Sequence, residues 1–563
     1  MRWIRRGSAW LVRSTLAAIA IAAAGSTDLR AASGDRFPEV KPASRAQAIS
    51  VLSGGMALPV PCLTPRLASL ESNLAGAPAA WRRALGVLNG GGTLSGERRW
   101  IAPDGTVVRF TLDPGSFDRI AGDDANADGV PDIVQEVHRG VRDATAVLVD
   151  RLGLDPPAAL EVLLADIDSL DGLTLPAAGR ERTVLVLDSS PADLDAARDG
   201  ASHQLAHAVA ATTGAVPAEW GEALAQWTVM RLRRGPSAEQ QEILSARVAR
   251  LAEGLLTDDL VLAAGNALWL AFLEEAYGLP SVGVAVRNLA SGDSPGAALE
   301  RTVRSAAGQT LEGSLREFHL WAVLVGERSD GRHFSFADRL AAPEFSGTAD
   351  GMPDLSVQAD PPIAALGAAG VRIVPGETEG GITILFEGAL AGRWGADLLL
   401  ARADGTRQRV ALPVTAEGRG ELTVPLDGLS EIVLLVRNLS ADPGRPLRYT
   451  WSVYHQRGFP FELGSLDATF LESSGVLVSW ETVSESQLMG FNVVRTDEVS
   501  GDTVRVNPVW VPAIGDRSSP MAYQFLDATA RTDQRYVYLI EGITFEGLTS
   551  RSEPFAPLLP SSP

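Results

Sequence analysis

The middle of the chain changes from strand patterns to helix patterns. Apolar and polar residues alternate over residues 106–112 after the turn signal Asp104-Gly105, which predicts a β-hairpin with the segment around Trp100. Further strands are predicted at 160–164 and 183–187. Ser237-Ala-Glu-Gln240 is a capping box that predicts the start of a helix. Other helices are predicted at 195–213, 217–234, 266–277 and 310–325. Strands followed by helices predict an α+β domain over residues 99–345.

Residues 350–460 change to a β pattern. Seven short apolar runs separated by turn signals predict a β-sandwich, and they lie at 371–374, 382–386, 398–401, 410–414, 422–424, 432–436 and 449–454. A second β-sandwich is predicted for residues 462–563. Trp480 lies on one of its alternating strands and Tyr536 and Tyr538 on another, a pattern that resembles a fibronectin type III-like module.

The N-terminus carries an export pattern. Arg2, Arg5 and Arg6 precede the apolar run 16–24, which predicts a secretory signal peptide over residues 1–32. That run is shorter than a bilayer span, so we expect no stable membrane span once the signal is removed, although a membrane-anchored N-terminus is the alternative. Residues 33–98 are rich in Ala, Gly and Pro and are interpreted as an N-terminal extension or pro-segment. A secreted, periplasmic or cell-surface multidomain protein is therefore expected.

Composition excludes several kinds of chemistry. The chain has 563 residues, a net charge of −20, one cysteine (Cys62) and one lysine (Lys41). An intrachain disulfide, a cysteine-rich zinc module, a Schiff-base lysine and a P-loop lysine are therefore excluded from the body of the chain. The acidic balance argues against a nucleic-acid partner, which would require a basic face. Carboxylates, serines and the six histidines remain as candidates for chemistry.

His203 and His207 are the most informative pair. Four positions apart on a predicted helix, they project from one face, and this spacing suits two imidazole ligands of one zinc ion. Glu222, on the next predicted helix, is the candidate third ligand because a tight turn at Gly214 and Pro217 can fold that helix back. A metal-free structural remnant and a chance pairing of histidines are the alternatives.

The segment that contains these residues resembles the gluzincins. A group of secreted bacterial metallopeptidases carries H-E-x-x-H followed by W-x-x-E-G-x-A-x-W. The corresponding residues are His203-Gln-Leu-Ala-His207 and Trp220-Gly-Glu222-Ala-Leu-Ala-Gln-Trp227, with Ala223 in the glycine position and Trp220 one residue closer to Glu222 than in the pattern. The resemblance covers most of the mature chain. It implies a zincin-like metallopeptidase domain that binds zinc through His203, His207 and Glu222 and takes a peptide or protein ligand.

Gln204 stands where this family has its catalytic glutamate. That carboxylate accepts a proton from the attacking water and returns it to the leaving amine, whereas an amide cannot relay protons. Losing such a group costs roughly 10²–10⁴ in rate. We therefore expect a zinc-binding pseudoenzyme whose peptide hydrolysis is impaired or absent.

Two other functions remain open. The chain is an active peptidase if a substitute carboxylate such as Glu219 or Asp199 serves as the base, with Tyr277 or His319 polarising the substrate. It is a surface adhesion or scaffold protein if its β modules carry the function. Metal content separates the last alternative from the others, and turnover separates an active peptidase from a pseudoenzyme.

A loop before the first helix has the oxygen ligands of a calcium site. The candidate ligands are the side chains of Asp124, Asn126, Asp128 and Asp132 and the carbonyl of Val130. Gln135 stands where an EF-hand has its bidentate acid. The alternative is a metal-free Asx-turn that caps the helix from Pro131.

The segment Gly292-Asp-Ser294-Pro-Gly296 matches the G-x-S-x-G pattern of serine hydrolases. A nucleophile elbow requires a strand before the serine and a helix after it. The residues before Ser294 have a helical pattern, and Pro295 favours an ordinary turn. We therefore expect Ser294 to have no catalytic role.

Overall fold

The computed structural model describes residues 93–557, apart from gaps at 168–171, 178–180, 351, 377–379, 427, 442–443, 457–460, 472–473, 486–487, 516–519, 532–533 and 546–548. The predicted signal peptide at 1–32 lies outside the described residues. The same holds for the predicted extension at 33–98, except for its last residues.

The first described strands form one mixed sheet in the order β1-β2-β3-β5-β4. β1 (Glu97–Ile101) and β2 (Val107–Thr111) form the predicted hairpin, and β3 (Leu160–Ala165) pairs in parallel with β2 and with β5 (Thr183–Asp188). β4 (Gly172–Leu175) lies at the edge and pairs antiparallel with β5. The sequence did not predict β4, because four residues that include a glycine are too few to show a period of two.

One hydrophobic core joins this sheet to the helices that follow it. The helices are α1 (Asp132–Thr145, continued by the π-helical Ala146–Arg151), α2 (Leu194–Thr213), α3 (Ala218–Arg233), α4 (Ala238–Ala249), α5 (Leu260–Gly265), α6 (Ala267–Tyr277), α7 (Pro280–Ala290), α8 (Pro295–Ala307) and α9 (Leu311–Val323). The predicted helices at 195–213, 217–234, 266–277 and 310–325 are confirmed as α2, α3, α6 and α9.

Capping interactions set the ends of the helices that carry the candidate ligands. Asp193 caps α2 by accepting a hydrogen bond from the backbone N–H of Ala196. α2 ends at Gly214, whose φ of +148° lies in the region that favours glycine. The predicted capping box of Ser237 and Gln240 is confirmed at the start of α4. Local sequence signals therefore determine where these helices begin and end.

Within the described residues, one helical stretch, Leu260–Tyr277, is long and apolar enough to cross a membrane by length and composition alone. It comprises α5 and α6, and 72% of it is buried inside the protein. The buried Asn266 between the two helices donates a hydrogen bond from Nδ2 to the carbonyl of Leu255 at 3.0 Å. Packing in the core therefore accounts for the apolar character of this stretch.

Two sheets that share one core form the first β-sandwich, with the strand orders β11-β10-β13-β8-β6 and β12-β9-β14-β7. All seven predicted apolar runs overlap strands. The strands are β6 (Gly347–Ala349), β7 (Asp354–Gln358), β8 (Ala368–Ile373), β9 (Gly381–Gly388), β10 (Trp394–Arg402), β11 (Arg407–Leu412), β12 (Arg419–Pro425), β13 (Leu429–Asn438) and β14 (Tyr449–Gln456).

The last strands form a second β-sandwich. β15, β16 and β20 form one sheet, and the other has the order β18-β17-β21-β22, with β19 also paired to β17. Trp480 of β16 stacks on Tyr523 of β20 and packs against Phe491 of β17, so the two sheets share a core. The strands are β15 (Phe461–Leu471), β16 (Gly475–Glu485), β17 (Leu488–Asp497), β18 (Thr503–Arg505), β19 (Val511–Pro512), β20 (Met521–Asp527), β21 (Tyr536–Thr544) and β22 (Thr549–Arg551).

α9 packs against the first β-sandwich. Its residues Leu320 and Val323 share a small core with Leu399 of β10. Beside this core, Asp397 accepts hydrogen bonds from both Arg316 of α9 and Arg437 of β13. All described residues belong to one contact unit, residues 60–563, so the predicted domain limits at 99–345, 350–460 and 462–563 stay predictions.

Candidate metal centre

Helices α2 and α3 bring together the three residues that the sequence singled out. His203 and His207 lie one turn apart in the middle of α2, and Glu222 lies in the first half of α3. The residues 214–217 that connect the helices are short enough for α3 to return against α2, as Gly214 and Pro217 predict. The three side chains therefore meet although Glu222 lies fifteen positions after His207.

Three candidate ligand atoms form a small triangle. Nε2 of His203 lies 3.3 Å from Nε2 of His207, and Oε2 of Glu222 lies 3.1 Å from Nε2 of His207 and 3.6 Å from Nε2 of His203. In a tetrahedral site with metal–ligand distances of about 2.0–2.2 Å, ligand atoms are about 3.3–3.6 Å apart. In the described part of the chain, no other three His, Cys, Asp or Glu residues place their ligand atoms so close together. This group could hold a metal ion.

The candidate ligands are removed from water. His203 and His207 are 7% and 6% exposed, and Glu222 is fully buried. Burial alone raises the pKa of Glu222, but the charges and hydrogen bonds of His203 and His207 outweigh it and hold this pKa well below its usual value. The carboxylate is therefore ionised when the two imidazoles are protonated, and a metal bound here would replace those protons, because histidine binds a metal as the neutral imidazole.

Gln204 links α2 to the edge strand β4. The Thr174 hydroxyl lies 2.8 Å from both the backbone oxygen and Oε1 of Gln204, and both residues are fully buried. A Cβ at Gly172 would lie 2.7 Å from Cγ of Gln204, so this glycine allows the strand to approach the helix. Where the gluzincin pattern has its catalytic glutamate, this chain therefore has a buried amide that is hydrogen-bonded to Thr174.

The tryptophans and the alanine of the resemblance motif are core residues. Trp220, Trp227 and Ala223 are at most 2% exposed. Nε1 of Trp227 donates a hydrogen bond to Oε2 of Glu274 on α6, at 3.1 Å. These side chains anchor α3 in the helical core and so hold Glu222 in place.

Of the two proposed substitutes for the missing base, Asp199 has an ion-pair partner of its own. Asp199 forms an ion pair with Arg233 at the end of α3, and burial raises the pKa of Asp199 in spite of that partner. Glu219 lies half-buried in the first turn of α3. For Asp199 these contacts favour a structural role over a catalytic one.

Of the two proposed polarising groups, Tyr277 packs half-buried against the helical core and His319 lies inside it. The Tyr277 hydroxyl donates a hydrogen bond to Oγ of Ser314 at 2.9 Å. His319 is fully buried on α9, and burial together with the charges of Arg437 and Arg247 holds its pKa well below the usual value. These contacts favour the core interpretation of both residues.

The predicted calcium loop satisfies its own oxygen atoms. The Asp124 side chain accepts a hydrogen bond from the N–H of Gly129 (2.8 Å), and the Asp132 side chain accepts one from the N–H of Ala125 (3.2 Å). Between them, Asn126 accepts from the N–H of Asp128 (3.1 Å) and Asp128 accepts from the N–H of Val130 (2.9 Å). The bonds of Asn126 and Asp128, which span two positions each, are those of successive Asx-turns. Together, these side-chain bonds hold the loop against the start of α1 without a cation.

The Gln135 side chain reaches back into this loop. Its Nε2 donates to both carboxylate oxygens of Asp128, at 3.0 Å each, and to the carbonyl of Val130 at 3.1 Å. A calcium ion that used Asp128 and Val130 would have to displace this amide. The metal-free alternative accounts for these contacts, and the calcium site stays a prediction.

Ser294 is the N-cap of α8 and accepts a hydrogen bond from the N–H of Ala297. It lies between α7 and α8, so no strand precedes it, as a nucleophile elbow would require. The expectation of an ordinary turn is therefore wrong, since Ser294 caps a helix that begins at Pro295, but the missing strand still argues against a nucleophile elbow.

Two glutamines that sequence reasoning missed lie behind Glu222. Gln226 donates a hydrogen bond from Nε2 to Oε1 of Glu222 at 3.1 Å, and Gln240 donates to Oε1 of Gln226 at 3.1 Å. Gln226 lies four positions after Glu222 and therefore on the same face of α3, and this spacing is a signal that could have identified it. Gln240 was predicted only as a capping residue.

No protein-family model and no curated protein matches the chain. Among solved structures it is similar to a Fn3-like protein from Clostridium thermocellum, with 16% identity, coverage of 18% of this chain and 95% of that chain, and a TM-score of 0.13. It is also similar to the adhesin domain of Epf from Streptococcus pyogenes, with 12% identity, coverage of 37% and 76%, and a TM-score of 0.15. Scores this low carry no conclusion about fold or function.

Proposed function

We propose that the chain is an exported, zincin-like protein in which His203, His207 and Glu222 bind one zinc ion. The observation that carries this proposal is the triangle of ligand atoms with sides of 3.1, 3.3 and 3.6 Å. Two of these lengths match the edges of a tetrahedral zinc site and the 3.1 Å side is slightly shorter, and two imidazoles with one carboxylate are ligands that zinc accepts. The same donor set also suits ferrous iron, so the metal must be identified by measurement.

Peptide hydrolysis is impaired in this proposal because of Gln204. Zinc bound at this site would act as a Lewis acid towards a peptide carbonyl. The protein must supply the group that moves protons, and the amide of Gln204 has no oxygen basic enough to do so. Its hydrogen bond with Thr174 supports a structural role for this residue. The expected activity is binding of a peptide or protein segment with little or no turnover.

Elemental analysis of the purified full chain tests the metal site. We expect about one zinc per chain in the wild type and none in the variant His203→Ala/His207→Ala. The matched control is His138→Ala/His333→Ala, which removes two histidines whose partners are Asp104 and Asp330. Zinc that persists in the first variant, or disappears equally in the control, would overturn the assignment.

Absence of any metal from the wild type would favour the alternative of a surface adhesion or scaffold protein. The two β-sandwiches would then carry the function, and His203, His207 and Glu222, called the trio below, would be a structural remnant. Robust, zinc-dependent peptide hydrolysis by the wild type would favour an active peptidase with a substitute base such as Glu219. A general protease assay on the same samples separates these outcomes.

A further inference from the structure

Two buried glutamines connect Glu222 to the start of another helix. Nε2 of Gln226 donates to Oε1 of Glu222 at 3.1 Å. Nε2 of Gln240 donates to Oε1 of Gln226 at 3.1 Å and to the backbone oxygen of Gln226 at 3.0 Å. Oε1 of Gln240 accepts a hydrogen bond from the N–H of Ser237 at 3.1 Å. Gln226 and Gln240 are 5% and 6% exposed, so water has little access to this amide chain.

The two ends of the amide chain determine its direction. The N–H of Ser237 can only donate, and the carboxylate of Glu222, as a metal ligand, can only accept. Gln226 and Gln240 must therefore turn their oxygens towards Ser237 and their nitrogens towards Glu222. If either amide were flipped, two acceptors or two donors would face each other in a buried place and stay unsatisfied. A directed row of hydrogen bonds therefore runs from the capping box to the candidate metal ligand.

We propose that Gln226 and Gln240 are positioning residues of the metal centre. This inference rests on the zinc site proposed above. Gln226 holds Oε1 of Glu222, and only Oε2 then faces His203 and His207, at 3.6 and 3.1 Å. The terminal torsion of a glutamate is intrinsically broad, so a hydrogen bond to one oxygen selects the rotation that the metal needs. Hydrogen-bond partners of ligands commonly tune metal affinity in this way.

Four variants of the full chain separate this role from ordinary stabilisation. Gln226→Met keeps the volume but cannot donate. Gln240→Glu keeps an oxygen for the N–H of Ser237 but has no N–H for Gln226. Ser237→Ala is the matched control, since it weakens the capping box and leaves the amide chain in place. The fourth variant combines Gln226→Met with Gln240→Glu.

Zinc dissociation constants, from competition with a chelator, are the readout. We expect Gln226→Met to weaken zinc binding by about 10–100-fold and Gln240→Glu by about tenfold. Ser237→Ala should change the constant by less than about twofold even where it lowers stability. The double variant should bind about as weakly as Gln226→Met alone, because Gln240 acts through Gln226.

Each possible result decides the proposal. Wild-type zinc affinity in Gln226→Met and Gln240→Glu would overturn the positioning role and leave the zinc site intact. Additive losses in the double variant would also overturn it. If the wild type binds no zinc, the proposed function and this inference fail together. If Gln226→Met does not fold, the zinc dissociation constants of Gln240→Glu and Ser237→Ala decide. A constant about tenfold higher for Gln240→Glu than for Ser237→Ala supports the proposal, and equal constants overturn it.

Discussion

The two candidate metal sites of this chain are built in opposite ways. In the trio, three buried side chains from α2 and α3 direct their ligand atoms at one another. In the loop of residues 124–132, exposed oxygens accept hydrogen bonds from N–H groups of the same loop. In the sequence, both groups of residues have the side-chain types and the spacing of metal ligands. Only the trio leaves its ligand atoms directed at one common point, which is what a cation requires.

Distance along the chain explains this difference. Within a short loop, every carboxylate lies close to backbone N–H groups, and Asx-turns form whether or not a cation is present. His203 and Glu222 meet only because the helices pack, and nothing local would draw a carboxylate to two imidazoles. The predictions below test this comparison, from the largest expected effect to the smallest.

Replacing Gln204 with glutamate restores the missing base beside the trio. We expect peptide hydrolysis to rise by roughly 10²–10⁴-fold over a wild type with little or no activity. The Thr174 hydroxyl can still donate to the new carboxylate. Gln241→Glu, which adds the same charge to a half-buried amide on α4, is the control and should stay inactive. Wild-type turnover that depends on zinc would contradict the argument from the missing base.

Removing zinc should destabilise the wild type. A ligand present at about a thousand times its dissociation constant stabilises the folded state by about 4 kcal/mol. A zinc chelator should therefore lower the Tm of the wild type by several degrees and leave His203→Ala/His207→Ala unchanged. Calorimetry with and without the chelator measures both shifts. Equal shifts in the two proteins would show that the effect does not come from the trio.

Thr174→Val should weaken the contact between β4 and α2 without changing the metal ligands. Loss of one buried hydrogen bond to Gln204 should cost about 0.5–1.5 kcal/mol in denaturant unfolding. Zinc affinity should stay within about twofold of the wild type. Thr228→Val is the control, since its buried hydroxyl bonds only locally, to the carbonyl of Leu224. A large loss of zinc binding in Thr174→Val would mean that β4 positions the ligands.

Calcium should have the smallest effect. Because Gln135 already contacts Asp128 and Val130, we expect binding in the roughly 10⁻⁴–10⁻³ M range of extracellular modules and a Tm rise of a degree or two in millimolar calcium. The titration is done in the His203→Ala/His207→Ala background, so that zinc does not interfere. Asp128→Ala should abolish the shift, and Gln135→Glu should enlarge it. Identical melting with and without calcium would establish the loop as a metal-free cap.

Local patterns in the sequence were enough to predict most elements and the members of the trio. The capping box at Ser237, the helix around His203 and the strand runs of the first β-sandwich depend on spacing, turn residues and caps, which act over a few positions. The histidines and Glu222 were identified because an i, i+4 pair followed by a glutamate on the next helix is a chemical pattern as well as a local one.

Only the tertiary structure decided what surrounds these residues. β4 was missed because its four residues show no clear period of hydrophobic and polar positions. The hydrogen bond between Thr174 of β4 and Gln204 was therefore missed as well. The directed chain from Ser237 through Gln240 and Gln226 to Glu222 likewise joins residues of two helices. Such contacts depend on how elements pack, because a side chain's partner in a buried core is selected by three-dimensional proximity and by the need to satisfy every polar atom there.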